Sequence, residues 1–159
     1  MNTKKTKLNI IQAGQVAVEE LIKVAMVDDH ILLRNALASL INHSDNCSVV
    51  IECSNGKELI SKIKISTPPD LVILDLNMPE MDGLTATRRI VAEFPQKPWI
   101  IALTANAMQG DREICLAAGM DDYLSKPIRK EDVAQKLADW EKKIFAQNVI
   151  AASAPITSE

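Results

Sequence analysis

Two stretches of the sequence end an apolar run in carboxylates. In VAMVDDH, residues 24–30, Asp28 and Asp29 follow Val27. In LVILD, residues 71–75, the run closes on Asp75. An ionised carboxylate at the edge of a core costs free energy unless something pairs with it. Three such groups brought together repel one another, and one would protonate unless a cation sat among them. A hard divalent ion answers this: Mg²⁺ favours oxygen ligands and takes one or two carboxylates, several waters and a phosphate oxygen. Taken singly, aspartates after strands commonly serve as helix N-caps or turn formers. It is the pair on one strand and the single acid on another that makes the metal reading more specific. Two further side chains fall at comparable places. Thr104 follows the run WIIAL, and Lys126 follows YLS. The hydroxyl can donate to an anionic oxygen, and the ammonium is a point positive charge. At the ends of successive strands, these five residues describe an Mg²⁺-assisted phosphoryl site.

The elements that must position them are legible in the hydrophobic pattern. The runs at 23–27, 48–52, 71–75, 99–103 and 123–125 show little alternation, which suits strands buried on both faces, as in a parallel sheet covered by helices. Segments of helical period lie between and after them. Leu33, Leu37, Leu40 and Ile41 mark a helix over 31–42, and Leu59, Ile60 and Ile63 one over 57–65. Leu84, Ile90, Val91 and Phe94 mark a third over 84–94, stopped by Pro95. A weaker fourth spans 106–118, with Gly110 inside it and Gly119 as its C-cap. Val133, Leu137, Trp140 and Ile144 mark a last helix over about 130–147. Strand and helix in alternation predict a doubly wound α/β domain with right-handed crossovers. The expected organisation is an N-terminal extension over 1–21 with a short helix near Val16–Leu21, one domain over 22–147, and a flexible tail over 148–159.

Composition sets the class. The chain has 159 residues, 47% hydrophobic and 25% charged, an ordinary globular balance. Aromatic residues make up 3%, so the core must be aliphatic. A net charge of −3 supplies no basic stripe for nucleic acid and no polybasic membrane patch. Neither partner is therefore expected, and no apolar run approaches the roughly 18 residues of a membrane span. The basic N-terminus is followed by a stretch that Asn9, Gln12 and Gln15 interrupt, unlike a secretory signal. Cys47, Cys53 and Cys115 have no Cys-x-x-Cys spacing and read as free thiols of a reducing cytosol. His30 and His43 have no partner spacing for a metal and read as helix-end residues.

The motifs VDDH, LVILDLNMPEMDGL, ALTA and YLSKP, in this order, resemble the receiver domain of two-component response regulators over residues 23–145. MPEMDG and the segment from Ile100 to Ile128 are most similar to receivers of hybrid sensor histidine kinases. VDDHILLRNAL is more similar to regulators with a DNA-binding output, which is not expected here because the last helix takes up much of the chain beyond Lys126. The resemblance implies a flavodoxin-like, five-stranded parallel sheet of order 2-1-3-4-5, which would set the first and third strands side by side and bring the three acids together. It implies that Asp75 is the phosphoacceptor for a phosphohistidine on a sensor histidine kinase or a histidine phosphotransfer protein. By the same resemblance, Asp29 and Asp75 bind Mg²⁺ directly, Asp28 through water, and Asn77 through its backbone carbonyl. Thr104 would bond the phosphoryl group, Lys126 would pair with it, and Lys126–Pro127 would be cis. Thr104 and Tyr123 would form a switch pair read on the face of the fourth helix, fifth strand and fifth helix. On the first helix, Ile31, Asn35 and Ala38 point away from the predicted inward face and would dock the phosphodonor. The role implied is a cytoplasmic phosphoacceptor that turns over no external substrate.

Other readings fit less well. A haloacid-dehalogenase-type phosphatase also forms a phospho-aspartate, but it wants an Asp two residues after the nucleophile, where this chain has Asn77, and its acidic pair lies late in the chain. A pseudo-receiver would not need the acids, Thr104 and Lys126 intact. A nucleotide binder would want a Gly-rich loop after the first strand, which VDDHILLRNA lacks.

Overall fold

The computed structural model describes residues 7–11, 15–105 and 108–153. It opens on an antiparallel hairpin of β1 (Lys7–Ile11) and β2 (Gln15–Glu19), with Leu8 opposite Val18 and Ile10 opposite Val16. The short helix expected near Val16–Leu21 is thus a strand followed by irregular chain. In Gln15–Glu19, two valines alternate with other residues, and β-branched residues at period two favour the extended chain.

From Ile22 the chain alternates as expected. The strands are β3 (Ile22–Val27), β4 (Cys47–Cys53), β5 (Leu71–Asp75), β6 (Trp99–Thr104) and β7 (Asp122–Ser125). The helices are α1 (Ile31–Asn42), α2 (Gly56–Ile65), α3 (Gly83–Glu93), α4 (Gln109–Ala118) and α5 (Lys130–Ser153). All four pairings among β3–β7 are parallel, in the order β4-β3-β5-β6-β7. Counted from β3, that is 2-1-3-4-5, so the strands that end in acids are neighbours. The β3–β4 register shifts between Val24 and Ala25; Val50 is skipped by the ladder and stands exposed.

Both faces of the sheet are buried. Val24, Met26, Leu71 and Ile73 pack on one side with Leu37 and Ile41 of α1 and with Val133, Leu137, Trp140 and Ile144 of α5. Ala25, Val27, Val72 and Leu74 pack on the other with Leu59, Ile60 and Ile63 of α2, Ala86 and Ile90 of α3 and Cys115 of α4. That division explains the lack of alternation in the sequence: each side chain enters one of two cores.

The helix ends follow local chemistry. The Asn55 and Asp82 side chains accept from the backbone N–H of Glu58 and Thr85 and cap α2 and α3. Gly119, at φ 108°, closes α4 in the left-handed region that favours glycine. α4 begins at Gln109 rather than 106, and residues 106–107 lie outside the described ones. α5 continues through 148–153, which the sequence assigned to a tail, because nothing in EKKIFAQNVIAAS breaks a helix. The remainder of that tail, 154–159, lies outside the described residues.

Candidate functional site: an acidic pocket at the sheet edge

Parallel strands carry their C-terminal ends to one edge of the sheet, and that geometry assembles the site. Asp28 and Asp29 follow β3, Asp75 ends β5, Thr104 ends β6, and Lys126 follows β7. Asp28, Asp75 and Thr104 are among the few buried polar residues, at 0%, 3% and 5% exposure. The Asp29 side chain is 34% exposed at the rim.

Lys126 lies between the two buried acids. Its Nζ donates to Asp75 Oδ2 at 3.2 Å and stands 3.6 Å from Asp28 Oδ2. The backbone positions it, since Lys126 N donates to Thr104 O at 2.7 Å. The Lys126–Pro127 bond is cis. Asp75 Oδ1 accepts from Asn77 N at 3.3 Å. Burial and the nearby Asp28 carboxylate raise the pKa of Asp75, against the pull of Lys126. Three carboxylates, Asp28, Asp29 and Asp75, thus gather around one ammonium.

Asp28, Asp29, His30 and Asp75 each offer a ligand atom, all within 4.8 Å of one another. Asp28 Oδ2 is buried and accepts no hydrogen bond, an acceptor left facing the pocket. Oxygen donors, an orphaned buried carboxylate oxygen and a raised acid pKa together fit a hard divalent ion. Asn77 is exposed beside Asp75, in a position suited to the carbonyl role expected of it.

The remaining residues singled out from the sequence fall into three groups. Tyr123 is half-buried on β7, next to the strand that carries Thr104, with Arg112 Cζ 5.6 Å and Lys136 Nζ 5.8 Å from its ring centre. Ile31 and Asn35 are exposed on α1, but Ala38 is buried at 6%. Its side of α1 faces β4, and it lines a shallow groove with Glu52, so Ala38 leaves the outward set, whereas Ile31, 60% exposed, and Asn35 stay in it and Leu32, 86% exposed, stands next to Ile31. All three cysteines are buried free thiols, and burial pushes Cys47 up to about 12 and Cys53 up to about 11.

Three contributors escaped the sequence reading. His30 does start α1, yet its Nδ1 lies 3.4 Å from Asp28 Oδ1 and 3.5 Å from Asp29 Oδ1. Gly83 lets α3 approach the end of β5: a Cβ there would meet the Asp75 carbonyl oxygen at 2.5 Å and Leu76 Cα at 2.9 Å. Arg34 reaches back from α1 to Asp28 O. Gly83 lay within a quoted motif, but its close contact depends on tertiary approach that spacing does not reveal.

The family model for the response regulator receiver domain matches residues 24–138. The chain belongs to the response regulator receiver family. It is 40% identical over 89 residues to the hybrid signal transduction histidine kinase H of Dictyostelium discoideum, covering 55% of this chain and 6% of that protein. It is 37% identical over 115 residues to the response regulator protein VraR of Staphylococcus aureus, covering 71% of this chain and 53% of that one. The chain thus spans about half the length of VraR and a small part of the kinase. A structure of the CheX–CheY–BeF3–Mg²⁺ complex from Borrelia burgdorferi superposes on the receiver at a TM-score of 0.67 and 27% identity, covering 74% of this chain and 87% of that one. A receiver takes part in two-component signalling, and receivers bind Mg²⁺ at an acidic cluster of this kind. Among the described residues no helix is long and apolar enough to cross a membrane.

Proposed function

We propose that this receiver accepts a phosphoryl group on Asp75 from the phosphohistidine of a sensor histidine kinase or phosphotransfer protein, in an Mg²⁺-dependent step in the cytoplasm. The observation that carries the reading is Lys126 Nζ held between Asp75 Oδ2 and Asp28 Oδ2, the latter a buried oxygen that accepts no hydrogen bond. An Asp75 oxygen attacks phosphorus. An O–P bond forms as the N–P bond breaks, and the electron pair leaves on the imidazole nitrogen. Mg²⁺ held by Asp28, Asp29, Asp75 and the Asn77 carbonyl would supply charge neutralisation at the phosphoryl oxygens. Lys126, already on Asp75, follows the transferred group and pairs with it. Thr104, buried at the end of β6, lies at the edge where a phosphoryl oxygen would receive its hydroxyl. Positioning and neutralisation are what phosphoryl transfer requires. No external substrate is turned over; the product is the chain itself. Thr104 and Tyr123 then carry the change to the face of α4, β7 and α5. The similarity to the CheY of B. burgdorferi, whose complex with CheX was solved with BeF3 and Mg²⁺, supports this reading.

The test is labelling with a phosphorylated donor or acetyl phosphate, with and without Mg²⁺. An alkali-labile, hydroxylamine-sensitive phosphate that needs Mg²⁺ and disappears in Asp75→Asn is expected. An acid-stable, hydroxylamine-resistant phosphate, or label that survives Asp75→Asn, would overturn the reading.

A further inference from the structure

Asp28 is fixed at nearly every polar atom it has. Its N–H donates to Cys53 O at 3.1 Å, its Oδ1 accepts from His30 N at 2.9 Å, and its carbonyl accepts from Arg34 Nη1 at 3.0 Å. Oδ2 alone accepts no hydrogen bond, and it is the atom turned toward Lys126 and Asp75. The same Nη1 of Arg34 donates to Ser54 Oγ at 2.8 Å. Ser54 lies just after β4, where its N–H donates to Glu58 Oε2 and the next residue, Asn55, caps α2. One guanidinium nitrogen therefore clamps the end of β3 to the end of β4.

We infer that Arg34 is a positioning residue for the metal pocket, holding the Asp28–Asp29 backbone so that both carboxylates face the cation. Helix geometry explains its reach. Arg34 sits in the first turn of α1, its N–H bonded to His30 O, and helical side chains lean toward the N-terminus. That lean carries the guanidinium back over the β3–α1 loop. Arg34 Nη1 spends both of its contacts on the two strand ends, Asp28 O and Ser54 Oγ, while Arg34 Nε makes no hydrogen bond. Groups that orient metal ligands commonly change metal affinity by about 10–100-fold when removed.

The inference rests on the Mg²⁺ reading of the pocket, and the experiment separates the two. Mg²⁺ is titrated by calorimetry into wild type, Arg34→Ala, Arg34→Lys and Ser54→Ala, with circular dichroism confirming the fold of each. Asp75 labelling by acetyl phosphate is then followed against Mg²⁺ concentration. Arg34→Ala should weaken Mg²⁺ binding about tenfold, Ser54→Ala by less, and Arg34→Lys should recover part of the loss because an ammonium can reach the same two acceptors. Labelling by Arg34→Ala should return to near the wild-type rate at saturating Mg²⁺, which a general structural defect would not allow. If Arg34→Ala does not fold, Ser54→Ala and Arg34→Lys carry the test on the same titration. A folded Arg34→Ala, or failing that a Ser54→Ala, with wild-type Mg²⁺ affinity overturns the assignment of Arg34. Absence of Mg²⁺ binding by wild type overturns the pocket reading instead.

Discussion

Asp75 is buried, and burial first and Asp28 second hold its carboxyl above the ordinary carboxylate range, with Lys126 pulling the other way. A folded-state pKa raised above the unfolded one has a defined consequence for stability. Below the unfolded value, near ~4, Asp75 is protonated in both states and its burial is not penalised. As pH rises through the raised value, the folded state must ionise a group that its surroundings disfavour, and stability is lost. Without Mg²⁺, Asp75→Asn should therefore unfold at higher urea than wild type at pH 7, and the difference should shrink as pH is lowered toward 4. Urea midpoints at the two pH values check this; equal midpoints at pH 7 would mean that Lys126 already neutralises the site. At this scale the sequence was most informative. The types of Asp28, Asp29, Asp75, Thr104 and Lys126 carried the chemistry, and strand ends carried the place. It could not show Arg34 or His30, because an arginine in a helix and a histidine before one acquire meaning only when their side chains fold back onto the loop.

At the scale of elements, α1 joins the pocket to solvent. Its inward residues Leu37 and Ile41 are buried, while Ile31 and Leu32 in its first turn stand exposed beside Asp28 and Asp29. An apolar pair at the rim of a charged pocket suits a helical donor that presents its histidine there. Ile31→Asp should slow transfer from the protein donor by about tenfold, equivalent to roughly 1.4 kcal/mol of docking, and leave acetyl phosphate labelling unchanged. Parallel loss with both donors would instead point to damage within the pocket. The helix itself was legible from period and boundaries. The burial of Ala38 was missed: at 100° per residue it lies only about 60° around the helix from Ile41, on the flank of α1 that packs beside β4. The hairpin escaped for a related reason, since five-residue segments carry too few periods to choose between helix and strand.

Across the whole molecule, the two cores meet the sheet from opposite sides. α4 is a thinly anchored covering element: Ile114 and Leu116 are about half exposed, Cys115 and Ala118 supply its buried side, and Gly110 stands in its first turn rather than its interior. Tyr123 lies beside it with Arg112 of α4 and Lys136 of α5 over its ring. A phosphoryl mimic, beryllofluoride with Mg²⁺, should change amide exchange across 104–126 in wild type and leave it unaltered in Thr104→Val. Change restricted to the loops around Asp29 and Asp75 would show that the phosphate is stored without being read on this face. Five runs without alternation were enough to imply a sheet buried on both sides. The strand order was not contained in those runs; it came with the motifs, and the pairing of β3 with both β4 and β5 bears it out.

Helix α5 runs for 24 residues, about 36 Å at 1.5 Å per residue, and Val149 and Ile150 are already largely exposed beyond the buried Ile144. A rigid rod anchored at one end by Val133, Leu137 and Trp140 transmits angle as well as distance. A helical reporter fused in frame at Ser153 would inherit the azimuth of the receiver, and each residue inserted at the joint would turn it by about 100°. Energy transfer from a fluorophore on the receiver to such a reporter should therefore oscillate with joint length, recovering after about seven added residues, whereas a frayed end would give a smooth decay. In that sense the last turns of α5 are a phase setting: they fix the compass bearing at which a reporter joined to the helix meets the rest of the receiver.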